Sequence, residues 1–164
     1  MRFARWQRSA RTFLLSLAAL LAIGCDSDPI APSVVAGTYV LLSVDGDALP
    51  ADAGYSGPAD EPVLVLADTL RLAADGSGSL VRVEEIVHDP SSGEGTRYRS
   101  ESTLHYTTTE GGIAITFDCP PSALMMCVAG PHMTARLGAA ELIATRLLGS
   151  QQEELVYAPV QRLD

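Results

Sequence analysis

From Ala36 onward the chain runs in short segments of alternating apolar and polar residues, broken repeatedly by Gly, Pro, Asp or Ser. Thr38 to Val44 predicts an extended stretch, and the Asp45-Gly46 pair after it is a hairpin-turn signal. The Gly-, Pro- and Asp-rich "ADAGYSGPADEP" reads as a loop, and "VLVLADTLRLA" as two short strands broken at Ala67-Asp68. "ADGSGS" then turns the chain into "LVRVEEIVHD", where Val81, Val83 and Val87 alternate with Arg82, Glu84 and His88, although Glu85 falls on the apolar face. Beyond the "PSSGEG" turn, Tyr98, Ser100, Ser102, Leu104 and Tyr106 share one face of a strand, while Arg97, Arg99, Glu101, Thr103 and His105 share the other. Burying unpaired charges is costly, so the first face is expected to point inward. Its mixture of hydroxyl and apolar groups suits either a small ligand cavity or a filled core with a few satisfied hydroxyls. Ile113, Ile115 and Phe117 follow at period two, and "HMTARL", "ELIATRLL" and "ELVYAPV" complete the series, separated by "GAA" and "GSQQ" turns.

No segment after Gly24 keeps a helical period for more than two turns, and "SALMM" offers one short helical turn at most. About eight or nine short strands, with turns roughly every 8–12 residues, predict an all-β antiparallel meander. A closed barrel is favoured over a sandwich, because hairpin-like links dominate and closure removes sheet edges. This domain is expected to span residues 36–164.

The segment ahead of it has a different pattern. Met1 to Thr12 is basic and free of acidic residues, and "FLLSLAALLAIG" from Phe13 to Gly24 is apolar throughout. As a helix this run would cover about 18 Å, against roughly 30 Å for a bilayer's hydrocarbon core, so it suits a signal-peptide core rather than a membrane span. Its end, "AIGC", resembles the lipobox of bacterial lipoproteins, with Ala22, Ile23 and Gly24 before Cys25. The resemblance implies that residues 1–24 form a cleaved signal helix and that Cys25 carries diacylglycerol. Residues 25–35 would then be a lipidated cysteine followed by an extended tether containing Pro29 and Pro32. Acyl chains contribute about 0.8 kcal/mol per buried CH₂, enough to hold the domain at a membrane without a spanning helix. Asp26 resembles an inner-membrane retention signal of enteric lipoproteins, which leaves inner and outer membrane both open.

The start of the body also resembles lipocalin-like and META-type lipoprotein domains. The matching residues are Gly37, Tyr39, Leu42, Ser43, Val44, Asp45, Gly46 and Pro50, with Tyr39 where lipocalins usually carry Trp. "LRLAADGSGS" resembles a strand and turn of the same families, with Asp75 and Gly76 in the turn. The resemblance implies a barrel and no particular ligand.

Charge narrows the partners. The net charge is −9 with no lysine, and past Cys25 seven arginines face twenty acidic residues, a balance of −13. Such a body repels phosphate backbones, so nucleic acid is excluded as a partner, whereas a cationic partner is permitted. Cys119 and Cys127 flank "PPSALMM" and, in an exported protein whose Cys25 is lipidated, are expected to form a disulfide. Closing that loop would contribute roughly 2–3 kcal/mol. Cys-x7-Cys is not a zinc spacing, and His88, His105 and His132 show no metal-binding spacing, so no metal is expected. Met125 and Met126 suit an adhesive tip or, more simply, a plug packed at a barrel end. "GYSGP" around Ser56 is not a nucleophile elbow, and no phosphate, dinucleotide or calcium loop occurs, so no cofactor is expected. These readings converge on a lipid-anchored envelope protein whose barrel binds a partner without catalysis. A carrier of a small apolar ligand, seated between Tyr98 and Tyr106, and a hydrolase inhibitor are the alternatives.

Overall fold

The computed structural model describes residues 30–118, 132–148 and 151–160. A four-residue helix, α1 (Pro32–Val35), precedes ten strands. They are β1 (Gly37–Val44), β2 (Asp47–Ala48), β3 (Ala51–Ser56), β4 (Pro62–Leu72) and β5 (Ser77–Asp89), then β6 (Glu94–Thr109), β7 (Gly112–Phe117), β8 (Met133–Leu137), β9 (Leu142–Leu148) and β10 (Gln151–Pro159). From β4 to β10 each strand pairs antiparallel with the next, and β1 closes the sheet by pairing with both β10 and β4. The expected antiparallel meander is therefore a closed barrel of eight strands, with β2 and β3 added outside the ring.

Local sequence explains most of the turns. Asp45 and Gly46 both have positive φ, at 50° and 90°, the geometry of a two-residue type I′ hairpin. It sets Val44 opposite Asp47 and Ser43 opposite Ala48. Gly76 takes φ 86° in the turn between β4 and β5, and Gly111 takes φ 85° between β6 and β7.

Four expectations are corrected. The segment read as a loop contains β3, whose Ala51 and Ala53 are buried against the barrel. Small apolar side chains at alternate positions were hidden there among turn-forming residues. The two pieces of "VLVLADTLRLA" form one strand, because a bulge between Val65 and Ala67 lets β4 run on past Asp68. On β5 the faces are the reverse of the valine pattern: Leu80 and Arg82 are buried, whereas Val81 and Val83 lie on the alternate face. Pairing decides this, since Arg82 sits directly opposite Asp68 and their charges compensate inside the barrel. Finally, the last residues assigned to the tether form α1, with Val35 fully buried.

One end of the barrel is closed and apolar. Leu70, Leu72, Leu104, Ile115, Leu142 and Leu155 fill its interior, and α1 covers the opening. Tyr39 Oη donates to the Val35 carbonyl at 2.8 Å, and Tyr106 Oη reaches the carbonyls of Ala73 at 2.5 Å and Pro32 at 3.2 Å. Towards the other end Ala51, Ala53, Val63 and Val65 pack one wall, and the buried charged side chains Asp68, Arg82 and Glu153 share the interior with Leu80.

Candidate functional site

Two cross-strand ion pairs occupy the polar half of the barrel. Asp68 on β4 and Arg82 on β5 face each other across one hairpin, and Arg146 on β9 and Glu153 on β10 face each other across another. Arg82 Nε donates to Asp68 Oδ2 at 2.8 Å, and its Nη2 lies 2.7 Å from the same oxygen. Arg146 Nη2 lies 2.7 Å from Glu153 Oε2. Asp68, Arg82 and Glu153 are each less than 5% exposed. Burial pushes the Asp68 carboxyl up, and the neighbouring Arg82 and Arg146 offset this only in part. Glu153 is raised for the same reason against the same two arginines. Tyr157, fully buried beside Asp68, is raised by burial and then by that carboxylate.

Above these pairs Glu84, two residues beyond Arg82 on the same face of β5, accepts a 2.5 Å hydrogen bond from Tyr55 Oη. Its Oε1 lies 3.6 Å from Arg82 Nη1. Burial, then the Glu84 hydrogen bond, pushes the Tyr55 hydroxyl up to about 12. These groups line a cavity of about 300 Å³ whose polar wall is Tyr55, Arg82, Glu84, Ser100, Ser102 and Arg146. Leu80, Phe117 and Leu147 supply an apolar wall, with His132 beside them. A wider open cleft of about 640 Å³ adjoins it across Tyr55 and is rimmed by Asp45, Asp47, Asp52 and Asp60.

The face expected to point inward is divided between the two halves of the barrel. Leu104 and Tyr106 are buried in the apolar half, where Tyr106 anchors α1. Ser102 is half-buried and Ser100 exposed, and both line the cavity. Tyr98 is half-exposed and pairs across strands with Glu84 on the extension of β5 and β6. Cys25, Cys119, Cys127, Met125 and Met126 lie outside the described residues.

The three histidines make separate contacts. His88 bridges Glu61 Oε1 and Thr96 Oγ1 at 2.7 Å each, His105 meets Asp118 at 3.0 Å, and His132 Nδ1 accepts from the Phe117 amide at 3.1 Å. Among the described residues no three His, Cys, Asp or Glu side chains are grouped to hold a metal ion.

Sequence reading missed Asp68, Arg82, Arg146 and Glu153 as interior groups. A signal was present, because each acid and its arginine are equally distant from the centre of a hairpin turn, where cross-strand partners must meet. No protein-family model, curated protein or solved structure matches the chain.

Proposed function

We propose that this chain is a lipid-anchored protein of the bacterial cell envelope whose barrel is a non-catalytic binding module. The carrying observation is the charged cavity at the end of the barrel that α1 does not cover. Its arginines are held in ion pairs with Asp68 and Glu153, and its Tyr55 hydroxyl is pushed away from ionisation, which suits recognition better than proton transfer. The "AIGC" stretch supports the anchor. A carrier of a small apolar ligand between Tyr98 and Tyr106 is less well served, since Tyr106 is packed in the apolar half with its hydroxyl engaged.

Two measurements test this reading. Labelled palmitate should enter the parent protein and not Cys25→Ser, and equal labelling of the two would remove the anchor. In pull-downs from the envelope fraction, a retained partner or ligand should be lost when Ser100→Phe fills the cavity.

A further inference from the structure

Behind the cavity wall lie buried polar atoms without hydrogen-bond partners, donors on Arg82 and Arg146 and acceptors on their acid partners Asp68 and Glu153. Arg82 donates Nε to Asp68 and holds Nη2 in a 2.7 Å ion pair with it, whereas its buried Nη1, 3.6 Å from Glu84 Oε1, has no hydrogen-bond partner. The buried Nε of Arg146 also lacks one. A buried donor without an acceptor is unfavourable, and guanidinium groups with free N–H donors are suited to a carboxylate. Beside them Glu84 is 19% exposed, and an ionised carboxylate offers about four lone-pair positions, of which Tyr55 takes one.

Charge balance narrows the ligand further. Asp68 offsets Arg82 and Glu153 offsets Arg146, so Glu84 is left as the surplus charge of the cluster. A bare anion would add a second negative charge beside Glu84, and a bare cation would leave the guanidinium donors unmet. A molecule carrying an ammonium and a carboxylate side by side answers both demands. Leu80, Phe117 and Leu147 stand ready for an apolar substituent. The volume of about 300 Å³ lies at the small end of ordinary ligand pockets, roughly 300–1,000 Å³.

We propose that the cavity binds a free α-amino acid with an apolar side chain, its carboxylate on Arg82 and Arg146 and its ammonium on Glu84. Ser100 and Ser102 face the same space and complete the polar contacts. This assignment rests on the reading of the barrel as a binding module.

The test is calorimetric titration of the full chain in detergent micelles near pH 6.5, below the peptide α-amino pKa of about 7.7–8.0 and the higher value of a free amino acid, so that the ammonium is charged. The probes are L-leucine, N-acetyl-L-leucine, L-leucinamide and N-acetyl-L-leucinamide. L-Leucine should bind at least about tenfold more tightly than either singly capped form, as loss of a charged hydrogen bond requires. The doubly capped form should not bind. Glu84→Gln should lower L-leucine to the level of N-acetyl-L-leucine without weakening the latter, and Ser100→Phe should abolish binding, with circular dichroism showing both variants folded. Equal binding of all four probes, leucinamide binding as tightly as leucine, or an unchanged Glu84→Gln variant would overturn the proposal. If no probe binds while an envelope partner is still lost on Ser100→Phe, the ligand class is wrong and the binding module stands. If neither is seen, both are wrong.

Discussion

Asp68 and Arg82 meet almost entirely out of water, with one carboxylate oxygen taking two guanidinium contacts. Removing one partner strands the other as a buried charge, so Asp68→Ala is expected to lower unfolding free energy by about 3–5 kcal/mol in urea denaturation. The paired replacement Asp68→Leu with Arg82→Met should restore most of that loss, because apolar groups of similar volume replace buried ion pairs at little cost. The pH dependence follows from opposing shifts. Asp68 and Glu153 are raised by burial, so the folded chain holds their protons more tightly than the unfolded one. Their contribution favours folding below the unfolded carboxyl values, about 3.9 and 4.3, and is lost as pH rises through the folded values. Asp75, Asp89 and Asp118 are lowered by hydrogen bonds from Ser77, Ser91 and His105. Their stabilisation is present above about 3.9 and is lost as pH falls through the folded values. Glu153→Gln removes a group of the first kind. The difference in urea midpoint should therefore move in the variant's favour between about pH 4 and pH 7, and movement towards the parent would refute the assignment.

Among the elements, α1 and the β7–β8 approach are where single atoms hold strands in place. Tyr106→Phe removes the hydroxyl that ties α1 and the β4–β5 turn together, and should cost about 1–2 kcal/mol while speeding proteolysis near Pro32. At Gly112 an added Cβ would run into the Ala135 carbonyl oxygen, so Gly112→Ala should lower the melting temperature by forcing β7 and β8 apart. Much of this level was legible in the sequence. Turn chemistry at Asp45-Gly46 and at "ADGSGS" placed hairpins where they occur, and the period-two apolar residues of β7 face the core. What was not legible depended on partners distant in space. The valines of β5 gave a false face because hydrophobic alternation cannot register an arginine neutralised from the neighbouring strand. Asp68 looked like a strand break for the same reason, and the bulge that carries β4 past it has no strong local signature. The inward face of β6 divided in two because one strand spans both the packed and the polar halves of the barrel.

At the scale of the whole molecule, the barrel is a vessel with different ends: one packed with aliphatic side chains under α1, the other lined by paired charges and hydroxyls. The acidic body, with its balance of −13 past Cys25, and the aspartates of the adjoining cleft favour approach of a positively charged group. Binding of net-neutral L-leucine should therefore change little with ionic strength, whereas any binding of the cationic L-leucinamide should weaken as salt rises, which titration at two salt concentrations would measure. The position of α1 has a further consequence once Cys25 carries its lipid, as proposed. Four residues lie between Cys25 and Ile30, five chain steps in all, so the anchor can be no farther than about 18 Å from the segment leading into α1. The molecule would then stand on its base like a cup on a table, rim turned away from the bilayer, and fill from the aqueous compartment rather than from the lipid beneath it.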